Sequence, residues 1–223
     1  MSNVSIGGSP HAPQASSEFT WKGAQALGRV HALNERCLEL LAQLARTDRQ
    51  RIDLAIIRQH RSLWRSLNAT ARKRAACTPF LLTDLHFQDA DWWRSANDLR
   101  THRRRKMVLR AAFSGRIASE LMRETLMLAW STVAFDRGAA SIMLGMTPAV
   151  SGIIAGLGPQ DVERIAARHS PDLQPRWEDL PAFWGKLLVA ARDGDEEALH
   201  EIHLHGAQLI GSELLPLLDG RLV

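Results

Sequence analysis

The feature that most constrains this chain is the persistence of apolar residues at three- and four-residue spacing. In "ALNERCLELLAQLART", Leu33, Cys37, Leu40, Leu41 and Leu44 fall on one stripe, with Asn34 as the expected N-cap. "DRQRIDLAIIRQHRSLWRSL" continues the pattern through Ile52, Ala55, Ile56, Leu63 and Leu67, and "NATARKRAAC" predicts a short helix stopped by Thr78-Pro79. Only "FLLTDLHF" reads as extended. A long helical region is expected from about Asp98 to Ala134. Beyond Gly145, Thr147-Pro148 and Pro159 with Asp161 mark two helix starts around a glycine turn. That unit is helix-turn-helix-like. "AFWGKLLVAARDG" stays helical until Gly194, and an acidic turn opens the last helix. The expected fold is all-α.

Two aromatic and acidic stretches recur ninety residues apart, "LHFQDADWWRS" and "QPRWEDLPAFWGK". At an offset of 90, Arg74 falls on Arg164, Phe87 on Trp177, Asp89 on Asp179 and Trp93 on Phe183. A tandem of two related multi-helix units of about 90 residues explains this spacing. The expected organisation is a disordered Ser/Gly/Pro-rich tail over 1–18, a basic unit over 19–116 and an acidic unit over 117–223. Asp89, Asp91, Glu178 and Asp179 sit where helices begin, so capping and dipole effects account for them without invoking acid/base work. Trp92, Trp93, Trp177 and Trp184 are then structural anchors.

Charge divides the chain in the same way. Residues 1–116 carry 20 Lys/Arg against 9 Asp/Glu, a net of +11; residues 117–223 carry 8 against 15, a net of −7. Such asymmetry points one half at a polyanion and the other at a different partner. The strongest polyanion signal is "RTHRRRKMVLR", with Arg100, His102, Arg103, Arg104, Arg105, Lys106 and Arg110. On a helix Arg103, Lys106 and Arg110 share a face able to track a phosphate backbone. "ATARKRAA" offers a second patch at Arg72, Lys73 and Arg74. The competing reading of both is a solvated helix face.

Enzyme chemistry has no positive sign. The chain has no Tyr, no phosphate-binding glycine loop, no dinucleotide fingerprint and no nucleophile elbow. His200 and His203 lie one helical turn apart, but His205 points elsewhere and no Cys/His group accompanies them, so no metal site and no cofactor are expected. Cys37 and Cys77 are too few for a disulfide framework. With no membrane-length apolar run and no secretory signal, the expected setting is the cytoplasm.

One stretch carries a family likeness. "LMLAWSTVAFDRGAASIMLGM", Leu126 to Met146, resembles the signature helix of the FlhD-type flagellar transcriptional activators. Their apolar start, acidic–basic pair, alanine and Leu-Gly-Ile are matched by Leu126–Ala129, Asp136-Arg137, Ala139 or Ala140, and Leu144-Gly145-Met146. "TPAVSGIIAGLGPQDVERIAARH" is similar to the family's next two short helices, with Val150, Ile154, Leu157, Val162, Ile165 and Ala166 at apolar positions. "EIHLHGAQLIGSELL", Glu201 to Leu215, resembles its closing helix. The likeness covers about residues 121–216 and lies in the order and spacing of the motifs.

The resemblance implies a mostly helical bacterial regulator that acts with a FlhC-like subunit to recruit RNA polymerase to promoter DNA. The regulated genes would be flagellar or mobile-element transfer genes. The chain departs from that family in being about twice its usual length and in carrying "SPDLQPRW" where an aromatic-rich helix end is usual. If the first half is a diverged copy, one chain mimics a dimer; a homo-oligomer is the other expectation. The alternative function is a non-DNA interaction module or accessory factor of a flagellar or secretion system.

Overall fold

The computed structural model describes residues 14–47, 54–97, 113 and 115–219. Within these residues the fold is all-α apart from one two-residue ladder. The first half runs α1 (Gln14–Arg46), α2 (Ala55–Gln59), α3 (Arg61–Ser66), α4 (Ala69–Ala76), β1 (Thr83–Asp84) and α5 (Ala90–Asn97). The second runs α6 (Gly115–Phe135), α7 (Arg137–Leu144), α8 (Pro148–Ala155), α9 (Pro159–His169), β2 (Gln174–Pro175), α10 (Pro181–Asp193) and α11 (Glu196–Asp219). The order of long helix, two short helices, helix, strand and helix therefore occurs twice, with α11 added. No helix among the described residues is long and apolar enough to cross a membrane.

Local chemistry sets most of these boundaries. Asn68 caps α4 by accepting from Ala71 N, and Thr147 caps α8 by accepting from Val150 N, with Pro148 following. The Asp161 carboxylate reaches back to Gly158 N at the start of α9, and that bond, with Arg164 beside it, holds its pKa below the usual carboxylate range. Gly145 and Gly194 end α7 and α10 in the left-handed conformation that glycine adopts most readily.

Three expectations need correction. Asn34 is not an N-cap: it lies inside α1, fully buried, and its side chain binds the chain segment after α4. The apolar pattern after Leu54 is not one helix, because it breaks at His60 (φ −121°), whose Nε2 lies 2.8 Å from Pro181 O on α10. Leu126 to Met146 is not one helix either. Asp136 turns extended and accepts from Gly138 N and Ala139 N, closing α6 and starting α7. The stretch 98–112, read as helical and carrying Arg100 to Arg110, lies outside the described residues, as do residues 1–13 of the tail expected over 1–18, whereas residues 14–18 of that tail begin α1.

The strands show how the halves are related. Thr83 pairs with Pro175 and Asp84 with Gln174, antiparallel. At an offset of 91, Thr83 corresponds to Gln174 and Asp84 to Pro175, so exchanging the halves maps each pair onto the other. That is what a two-fold axis through the ladder requires. The same offset relates His86 (φ 49°) to Trp177 (φ 53°), the two left-handed non-glycine residues described, and Ala90 to Pro181, the first residues of α5 and α10. It also relates Trp93 to Trp184. The expected pairings of Phe87 with Trp177 and Trp93 with Phe183 are thus one residue out beyond α4. Up to that point an offset of 90 serves: Asn68 corresponds to Gly158, the two N-cap positions. The shift arises because the second half places one more residue between that helix start and its strand, where α9 and a 3₁₀ turn at Ser170–Asp172 replace the shorter α4.

Packing crosses the axis. Within each half, α1 lies on α3 and α4, and α6 lies on α8 and α9. The last helix of each repeated set packs across onto the other half: α5 packs on α8 and α9, while α10 packs on α2, α3 and α4 and also meets α11. One continuous buried cluster runs from Val30 on α1 to Leu214 on α11. Burial of apolar side chains in such a core is the largest single class of favourable terms. Gly185 of α10 marks how close the exchange is, since a Cβ there would sit 2.6 Å from His60 Cε1. Gly185→Ala is expected to cost about 1–3 kcal/mol by overpacking, read as a lowered denaturation midpoint.

Candidate functional site

The two aromatic corners meet. Asp84, His86, Gln88 to Asp91 and Arg94 from one corner and residues 174–179 from the other line an open cleft of about 870 Å³ beside the ladder, joined by Glu213 from α11. Each corner is built alike. His86 O accepts from Asp89 N at 2.9 Å, and Trp177 O accepts from Leu180 N at 3.0 Å. Indole N–H groups close both turns: Trp93 Nε1 donates to His86 O (3.0 Å) and Trp184 Nε1 to Arg176 O (2.9 Å). A left-handed conformation at a residue with a large side chain costs about 1–3 kcal/mol, so it persists only where surrounding contacts over-determine it. Here the His86 ring stacks on Trp92 (4.8 Å), and the Trp177 ring meets Phe183 (4.6 Å) and Phe80 (5.5 Å) edge-on.

The carboxylates of the first corner are engaged in local structure, whereas the expected capping by Glu178 and Asp179 is not met, since the N-cap of α10 is Leu180, with no side-chain cap. Asp84 accepts from His86 N, Asp89 caps α5 through Trp92 N, and Asp91 pairs with Arg94. Glu213 takes both corners at once, accepting from Gln88 Nε2 and Trp177 Nε1 at 2.6 Å each. Burial, and then the neighbouring Asp179 charge, pushes the Glu178 pKa upward. Arg176 is the one strongly buried cation described. It is 3% exposed, donates to Leu144 O, lies 3.7 Å from Asp84 and 3.9 Å from Glu213, and covers the left-handed Gly145. Trp93 and Trp184 are fully buried, Trp177 nearly so, and Trp92 half-buried against His86 and His169.

The second basic patch is divided by its packing. Lys73 is exposed. Arg72 Nη1 donates to Leu67 O at the end of α3, and Arg74 Nη1 lies 3.5 Å from Ala191 O over the left-handed Gly194. Arg61 and Arg65 treat α1 the same way: both Nε atoms donate to Ala45 O, and Arg61 Nη2 also donates to Thr47 O. Helix C-termini present unpaired carbonyls and a negative dipole end, which arginine satisfies with directed donors. Part of the first half's arginine content is therefore structural. Arg74→Ala is expected to destabilise the protein by about 1 kcal/mol, the scale of a lost helix-end contact, while Lys73→Ala leaves the thermal midpoint unchanged.

The histidines of α11 separate by face. His203 is half-buried and its Nε2 has no hydrogen-bond partner; His205 is exposed and stacks on Phe183 at 6.2 Å. No group of three or more His, Cys, Asp or Glu able to hold a metal occurs among the described residues. Burial lowers the His203 pKa, and the nearby His200 and His31 lower it further against an opposing pull from Glu196; burial also lowers His31. A histidine whose folded pKa lies below its unfolded value near 6.5 contributes stability that is present above that value and is lost as pH falls through the folded one. The thermal midpoint should therefore drop on acidification below about pH 6.5, with a shallower drop in His203→Leu.

Arg176, Glu213 and the helix-capping role of Arg74 carry no signal in the local sequence. Their partners lie up to 125 positions away in sequence, and no local spacing encodes them. Comparison of the chain with protein-family models, curated proteins and solved structures gave no match.

Proposed function

We propose that the chain is a transcriptional regulator of the FlhD type, acting on promoter DNA together with a FlhC-like subunit and, through it, on RNA polymerase. The observation that carries the reading is a pair of short helices joined by a tight turn, present twice. α3 and α4 are joined by Leu67-Asn68, and α8 and α9 by Gly156–Gly158. The first pair lies in the half with a net charge of +11 and the second in the half with −7. In this reading the basic half, with Arg100 to Arg110 foremost, neutralises phosphates, and the acidic half meets the protein partner. No catalytic residue, cofactor or metal enters it, and the regulated genes would be flagellar or mobile-element transfer genes of a bacterium.

An electrophoretic shift with promoter DNA, alone and with a co-encoded FlhC-like protein, tests the proposal. Binding is expected to weaken in Arg103→Ala/Arg104→Ala/Arg105→Ala, with the salt slope reduced by about 1 for each phosphate contact removed. The absence of a shift at low salt, with and without the partner, would sink it. That outcome would favour the second reading, a protein-interaction module of a flagellar or secretion system. Two observations support that alternative: Arg72 and Arg74 are engaged at helix ends, and Ile142 on α7 and Leu215 on α11 are 68% and 60% exposed.

A further inference from the structure

We infer that the chain is a covalently joined, helix-exchanged dimer of one unit of about 90 residues, in which neither half can complete its core alone. The inference is independent of the functional reading, since it rests on packing.

Three sets of observations carry it. The register of the ladder, with Thr83 on Pro175 and Asp84 on Gln174, is invariant when the halves are exchanged. The contacts of α5 and α10 are then reciprocal. Arg74 on α4 reaches the C-terminal end of α10 at Ala191, while Arg164 on α9, ninety positions later, donates to Asn97 at the end of α5 at 3.0 Å. Trp64 on α3 meets Trp184 of α10 at 5.7 Å, and Trp92 of α5 meets His169 of α9 at 5.1 Å. Lastly, the crossing points are the two corners themselves. The chain passes from one half to the other at His86 and Trp177, the two left-handed non-glycine residues among those described.

A hinge that must reverse the chain into a neighbouring subunit accounts for the repeated corner. Two such hinges side by side pair their extended segments into the ladder and seal against each other through Gln88, Trp177 and Glu213. Exchange of an identical element between protomers is a low-cost route to a dimer, and joining the protomers in one chain removes the loss of translational freedom on assembly. Divergence after joining is visible in the charge, +11 against −7, and in α11, which has no counterpart among the described residues.

The test uses the full chain with a protease recognition sequence inserted after Arg105, between α5 and α6. After cleavage, the two fragments are expected to co-elute as a one-to-one complex with the helical circular dichroism of the uncut protein. They should separate only in denaturant, and the unfolding midpoint should now rise with protein concentration. Two fragments that part in native buffer as folded monomers would overturn the inference. Should the insertion itself prevent folding, the unaltered chain gives the answer by hydrogen exchange. A common protection factor for the slowest amides of α4, α9 and α10 is expected. Slow amides that fall into two classes, one for each half, would overturn the inference equally.

Discussion

Replacing Trp184 by alanine is expected to destabilise the protein by about 3–5 kcal/mol, the range for removing a large aromatic from a packed core. The side chain is fully buried and does three things at once. Its indole N–H closes the second corner on Arg176 O at 2.9 Å, its ring lies 5.7 Å from Trp64 in the first half, and it abuts Phe183 at 6.3 Å. Alanine leaves a cavity at the point where α10 enters the first half, so the loss falls on both halves. Equilibrium urea unfolding checks this: the midpoint drops, and α3 and α4 lose hydrogen-exchange protection although the substitution is in the second half. Trp184→Phe keeps most of the volume and is expected to recover more than half of the loss.

The second large effect is expected at Asn34. Its amide is fully buried and saturated: the two Nδ2 hydrogens are shared among Thr78 Oγ1 (2.8 Å), Phe80 O (2.9 Å) and Ala76 O (3.3 Å), and Oδ1 accepts from Leu82 N (2.8 Å). These bonds fix the chain that leaves α4 and leads to the first corner. Asn34→Ala strands Ala76 O and Leu82 N without partners, and each unsatisfied buried group costs about 1–3 kcal/mol, for a total of about 3–4 kcal/mol. Asn34→Leu, which fills the space, is expected to rescue little, because the deficit is in hydrogen bonds. Asn34→Asp keeps the acceptor for Leu82 N but turns a buried negative charge towards two carbonyls, so it should be no better than alanine. Chemical denaturation with an unchanged m-value would identify all three as stability effects.

The helix starts at Thr147-Pro148 and Pro159, the stop at Gly194 and the extended stretch around Thr83 were readable because the residues that cause them lie within a few positions of their effect. The recurrence of the corners is readable as a pattern, although its register shifts by one residue beyond α4. The roles of Asp89 and Trp93 follow from that pattern: one caps α5 and the other closes the turn on His86.

What was hidden depends on partners far away in the chain. His60 breaks a continuous apolar pattern because it meets Pro181, 121 positions later. Arg74 looks like part of a phosphate-tracking run until α10 brings its C-terminus to it. Asn34 has a sequence context suited to an N-cap, and only the fold of residues 76–82 reveals its clasp. Glu213 sits in an unremarkable helical stretch yet joins both corners. A periodicity of three to four residues states that helices form; it does not say which half each helix completes.

The last helix of each repeated set belongs to the core of the other half. A double-mutant cycle between Trp64 and Trp184 tests it most directly, with Trp64→Leu, Trp184→Leu and the double variant compared by equilibrium unfolding. Direct packing of the two rings predicts a coupling of about 0.5–1.5 kcal/mol, the double variant losing less than the sum of the singles. Strict additivity, within about 0.3 kcal/mol, would place the two tryptophans in separate environments and contradict the exchange.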